Sequence, residues 1–161
     1  MTYTPAQKII SIFLSVILCF AISGCASAKK HTPTQLSEDI LELTSFSELK
    51  ELSGASLPSY FVFQDGSVKR FSVRVSATAQ SSDTLACFEV ADEKQRATAV
   101  SGISQYLTNL STAFKSTMEQ EYQKVENRLL VELESIIILV ICNDSTAVWD
   151  YLTRLGAKEV I

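Results

Sequence analysis

Few side chains in this sequence have the types and spacing that chemistry needs. Cys25 closes the run Ile22-Ser23-Gly24-Cys25, at the end of an apolar stretch that begins at Ile9. That pattern reads as a lipobox, in which a signal peptide is cut between Gly24 and Cys25 and the Cys25 thiol takes up lipid. The remaining candidates are carboxylates. Glu89, Glu132, Glu134 and Asp150 could supply an acid and a base beside a cleft, as glycoside-cleaving enzymes require, or they are solvated charges on strand edges and helix faces. His31 is the only histidine and is expected to be a solvated residue of a linker. Without a second imidazole, Ser-His-Asp and Cys-His arrangements are absent, as are the usual zinc sites. The sequence has no Gly-rich phosphate loop and no Cys-x-x-Cys pair. No catalytic residue, metal or cofactor is therefore expected, beyond the lipid on Cys25.

The segment before Cys25 has the three parts of a secretory leader. Lys8 lies in a polar start, residues 9–22 are apolar, and small residues precede the cut. The apolar part is fourteen residues long, short of the ~20 that a membrane-spanning helix needs. An uncleaved anchor is the alternative if residues 23–28 are counted in. The expected organisation is a signal peptide over residues 1–24, a lipidated terminus and flexible tether over 25–35, and one domain over 36–161. By resemblance to bacterial lipoproteins, Cys25 would carry a thioether-linked diacylglycerol and often an amide-linked third chain. The domain would then sit on the extracytoplasmic face of the cell membrane. One acyl chain holds a protein only marginally, whereas two hold it stably, at about 0.8 kcal/mol per buried CH₂. Net charge is −4 and no Lys/Arg cluster occurs, which argues against a nucleic-acid partner.

Cys19 would leave with the leader. Cys87 and Cys142 each lie in a strand-like run, and they either pair, as an extracytoplasmic location permits, or remain two separate buried thiols.

The elements that must position these groups follow from hydrophobic period. Leu36, Ile40 and Leu43 predict one short helix, and Phe46, Leu49 and Leu52 a second. From Arg70 to Ala79 the alternation is unbroken, with Phe71, Val73, Val75 and Ala77 on one side and Arg70, Ser72, Arg74 and Ser76 on the other. That is a half-buried strand, and residues 85–91 return as its hairpin partner. Asp92 with Gln95 has capping-box spacing ahead of a long helix whose stripe is Val100, Ile103, Leu107, Leu110 and Phe114. A helical piece over 119–127 precedes a second hairpin, 129–133 and 136–142. Residues 136–141 are apolar at every position, so both faces of that strand should be covered. A final helix carries Val148, Leu152 and Leu155, with Arg154 and Gly156 as stop signals. The expected fold is α+β: a four-stranded antiparallel sheet in ββαββα order, with the two long helices on one face and the short N-terminal helices over part of the other.

Residues 68–77 (VKRFSVRVSA), 83–92 (DTLACFEVAD) and 121–144 (EYQKVENRLLVELESIIILVICND) resemble a family of small lipoproteins from Gram-positive bacteria, domain of unknown function 4358. Members tend to have a glycine at the second hairpin turn, where Glu134-Ser135 stands here, and a Tyr-x-Pro element where this chain reads Ser116-Thr117-Met118. The resemblance implies a location and a fold, and no activity. Three functional readings remain. The first is a non-catalytic binding or accessory module at the cell surface, with Arg70 and Arg74 as its candidate binding face and an unidentified protein or envelope partner. The second is a carboxylate-dependent cell-envelope hydrolase. The third is an assembly protein that docks a partner through an open sheet face.

Overall fold

The computed structural model describes residues 30–160, so the leader, Gly24 and Cys25 lie outside the described residues. Helix α1 spans Pro33–Leu43. Thr32 caps it, its Oγ1 accepting from the Gln35 N–H at 3.2 Å, and Pro33 occupies the first turn, where a missing N–H costs nothing. The helix thus begins inside the stretch expected to be tether, because this proline starts a helix rather than stiffening a linker.

The second helix expected from Phe46, Leu49 and Leu52 does not form. Leu49–Glu51 is instead a short edge strand, β1. Three apolar residues are too few to offset helix nucleation, whereas the neighbouring strand offers ready backbone partners, with the Leu52 N–H donating to the Val73 carbonyl at 2.8 Å. After a 3₁₀ turn at Leu57–Ser59, residues 60–63 run as an irregular strap. Then come β2 (Val68–Ser76) and β3 (Thr84–Val90), paired in the register Phe71↔Phe88 and Val75↔Thr84. Helix α2 spans Glu93–Phe114, with Asp92 Oδ1 accepting from the Gln95 N–H at 3.0 Å. Helix α3 spans Glu119–Glu126. Strands β4 (Leu129–Leu133) and β5 (Ile136–Ile141) form the second hairpin, followed by α4 (Thr146–Arg154) and a short β6 (Lys158–Glu159).

The sheet is antiparallel with the order β1-β2-β3-β5-β4-β6. It has six strands rather than four, because β1 and β6 extend the two edges. The final helix α4 lies on the face opposite α2, beside α1, contrary to the expectation that the two long helices share one face. Val73, Val75, Phe88, Ile137 and Leu139 pack beneath α2, α3 and the strap. Leu85, Cys87, Ile138 and Val140 pack beneath α1 and α4. Strand β5 explains the division: its six residues are all buried, alternately to one cluster and the other, so each face needs its own helical cover.

Gly102 in α2 lets the strap lie against the helix. A Cβ there would stand 2.6 Å from the Val62 carbonyl oxygen and 2.7 Å from the Phe63 ring. Overpacking of this kind costs about 1–3 kcal/mol, against ~1 kcal/mol gained from alanine's helix propensity. Because the closest atom is backbone, no rotamer change relieves the clash. Gly102→Ala should therefore lower stability in a denaturant titration, although it introduces a better helix former.

The β4–β5 turn has only Glu134 and Ser135 between the paired residues Leu133 and Ile136. Glu134 takes φ = 56°, the left-handed region that glycine tolerates best. A side chain in that region costs roughly 1–2 kcal/mol. Glu134→Gly gives up part of that gain through its looser unfolded chain. It also loses an exposed contact to His31 worth at most about 1 kcal/mol. The net expectation is a small rise in the thermal midpoint, measured by calorimetry.

Candidate functional site

The residues that sequence singled out do not converge on one place. Arg70 donates to Glu89, a carboxylate that is buried on the α1/α4 side. Arg74 stands across the ladder from Leu85 and donates to Ser37 of α1 at 2.6 Å, with Glu51 at 3.4 Å. The Arg70/Arg74 side of β2 is thus the side that α1 covers, and Arg74 is a polar contact beneath a helix rather than part of an open face. Glu132 accepts from Arg96 at 2.6 Å, and Asp150 is exposed on α4. Glu134 lies 3.3 Å from His31, which is half-buried at the start of the domain rather than free in a linker. The ladder pairs Glu89 with Ile136 and Glu132 with Ile137, so these two carboxylates belong to opposite faces of the sheet.

What the structure does gather is a charged centre whose members the sequence places in a turn and on a helix. Asp83, just before β3, and Glu121, on the first turn of α3, both bind Lys124, whose Nζ lies 2.6 Å from Asp83 Oδ1 and 2.7 Å from Glu121 Oε2. The three side chains are only 3%, 16% and 10% exposed for Asp83, Glu121 and Lys124, low enough that each charge depends on the others. Two serines complete the centre: the Ser47 N–H donates to Asp83 Oδ2 at 2.6 Å, and the Ser82 N–H and hydroxyl donate to Glu121 Oε2 at 2.7 and 2.9 Å. Burial on its own would raise the Glu121 carboxyl, but the hydrogen bonds from Lys124 and Ser82 outweigh it and hold the group below its ordinary range. Burial likewise opposes the Lys124 charge, and Asp83 and Glu121 together hold its ammonium above the ordinary lysine value. The centre ties the β2–β3 turn and the segment before β1 to α3. Its lysine already occupies the space between the carboxylates, and no group of three metal-ligating side chains occurs among the described residues.

Next to this centre is a cavity of about 340 Å³ between the C-terminal half of α2 and the end of β2. Tyr106 forms part of it. Its hydroxyl is 2.7 Å from Thr84 Oγ1, and burial pushes its pKa up to about 12.

Cys87 and Cys142 are separate, buried, free thiols. Cys87 faces Ile138 across the ladder, so Cys142 is four positions further along. At ~3.3 Å per residue the two are roughly 13 Å apart, beyond the ~7 Å that a disulfide spans. Burial pushes the Cys87 thiol up to about 12, which leaves it unreactive near neutrality.

A family model, domain of unknown function (DUF4358), matches residues 43–142. The chain belongs to this family. The DUF4358 span runs from the last residue of α1 to just past β5, so it includes Asp83, Glu121, Lys124 and the cavity, and leaves α4 and β6 outside. No curated protein and no solved structure gives a match to the chain. Among the described residues, no helix is long and apolar enough to cross a membrane.

Proposed function

We propose that this DUF4358 chain is an extracytoplasmic lipoprotein, held at the membrane by lipid on Cys25, and that its domain is a non-catalytic binding module. The observation that carries the anchor is Ile22-Ser23-Gly24-Cys25 at the end of a fourteen-residue apolar run. A diacylated cysteine supplies the two chains that stable anchoring needs. The binding role is favoured over hydrolysis by where the carboxylates lie. Glu89 and Glu132 are on opposite faces of the sheet, each with an arginine, and the adjacent pair Asp83 and Glu121 shares a lysine. An acid and a base working on one bond need a common open cleft. Docking through an open sheet face is disfavoured because helices lie over both faces.

The anchor is tested by feeding cells an alkyne-tagged fatty acid and attaching a dye to the purified protein. The wild type should label, and Cys25→Ser should lose the label at equal expression. Equal labelling of the two proteins would contradict lipidation at this residue.

A further inference from the structure

The cavity beside the charged centre has walls and a mouth of different chemistry. Val75, Leu110, Phe114 and the rings of Tyr60 and Tyr106 form the apolar wall of a half-open space large enough for a small ligand. Asp83 also reaches it, but Lys124 holds one of its carboxylate oxygens and the Ser47 N–H holds the other. The Tyr106 hydroxyl is likewise engaged with Thr84. The charge that remains for an incoming molecule is Lys50. It stands opposite Val75 in the β1–β2 ladder, which directs it to the α2 side of the sheet. Its Nζ lies 5.4 Å from the centroid of the Tyr60 ring, and among the described residues it has no carboxylate partner. A cationic ligand would be repelled by Lys50 and would find Asp83 already neutralised. An anionic group placed beside Lys50 gains a charge-assisted contact that an uncharged ligand lacks.

We propose that this cavity binds a small amphipathic anion, with a ring-sized apolar body between Tyr60, Leu110 and Phe114 and a carboxylate or sulfonate on Lys50. The assignment rests on the binding-module reading and names its ligand class. Ring faces and aliphatic walls bind such a body without strict shape demands, and a charge-assisted contact at the mouth orients it.

The test uses the full chain in lipid nanodiscs and saturation-transfer NMR with 2-naphthoate, against uncharged 2-naphthamide. Naphthoate should bind the wild type saturably, and naphthamide about tenfold more weakly, the loss expected for one charge-assisted contact. Lys50→Gln should weaken naphthoate by about the same factor. Thr78→Trp, which places an indole at the mouth, should abolish binding. Lys50 and Thr78 are both exposed, so the thermal midpoints should fall by no more than the loss of one exposed contact to Tyr60 produces, a few degrees. No saturable naphthoate binding by the wild type, or binding that survives either substitution, overturns the assignment. An intact mass taken on the same preparation separates the two claims: failure to bind with lipid present on Cys25 counts against the cavity and leaves the anchor standing.

Discussion

Lys124→Met should destabilise the domain by about 3–5 kcal/mol, the cost of removing one partner from a buried ion pair. The methylene stem is largely replaced by the methionine side chain, so the loss is electrostatic: Asp83 and Glu121 are left as buried carboxylates without their cation. The pH dependence distinguishes this from a packing defect. Glu121 is held below its ordinary range in the folded protein, so its contribution is present above that range and disappears as pH falls through the folded value. In the variant Glu121 keeps the Ser82 hydrogen bonds but loses the lysine bond and its charge, so its carboxyl rises relative to the wild type. The stability gap between wild type and variant should be widest near neutrality and narrow as the carboxyl protonates, whereas a cavity would give a gap independent of pH. At the alkaline end, Lys124 is held above its ordinary value. Its contribution is fully present below that value and is lost as pH rises through the raised one. Urea titrations from pH 3 to 8 cover the acid arm.

Phe61→Ala should cost a similar amount, about 3–5 kcal/mol, with no such dependence on pH. Phe61 is 1% exposed although its neighbour Val62 is 71% exposed, so the strap inserts one ring into the core and turns the next side chain out. That ring meets Tyr106 at 4.2 Å between centroids, Phe88 at 5.0 Å and Phe63 at 5.9 Å. Its removal opens a void between β3 and α2 that the irregular strap alone could collapse to fill. Phe61→Leu, which keeps much of the volume, should recover over half of the loss in the same unfolding experiment.

These two residues also mark where sequence was and was not legible. Strand β2 alternates strictly from Arg70, and helices α2 and α4 carry apolar stripes. Strands β3 and β5 are short, largely apolar runs bounded by polar turns, so the pattern alone places these elements. The residues between Tyr60 and Phe63 are all apolar, so no period distinguishes the buried ring of Phe61 from the exposed side chain of Val62. Strand β1 has three residues and an i, i+3 leucine spacing that imitates a helix, and only the free edge of β2 decides otherwise. Polar residues on alternate positions of β2 suggested a solvated face, yet Arg74 is polar because it bonds Ser37 under α1. The same limit applies to the charged centre. Glu121 and Lys124, three apart on a helix, are visible as a local pair, but Asp83 is forty-one residues from Lys124 and joins only through the tertiary fold. Lys50 and the cavity are hidden for the same reason, since their placement depends on β1.

Lipid anchoring through Cys25 is tested most directly by the intact mass of the mature protein isolated from membranes, with sequencing of its N-terminal peptide. The mature chain should begin at Cys25 and carry the added mass of a diacylglycerol there. A chain that begins at Met1, or a Cys25 thiol without lipid, would contradict the anchor.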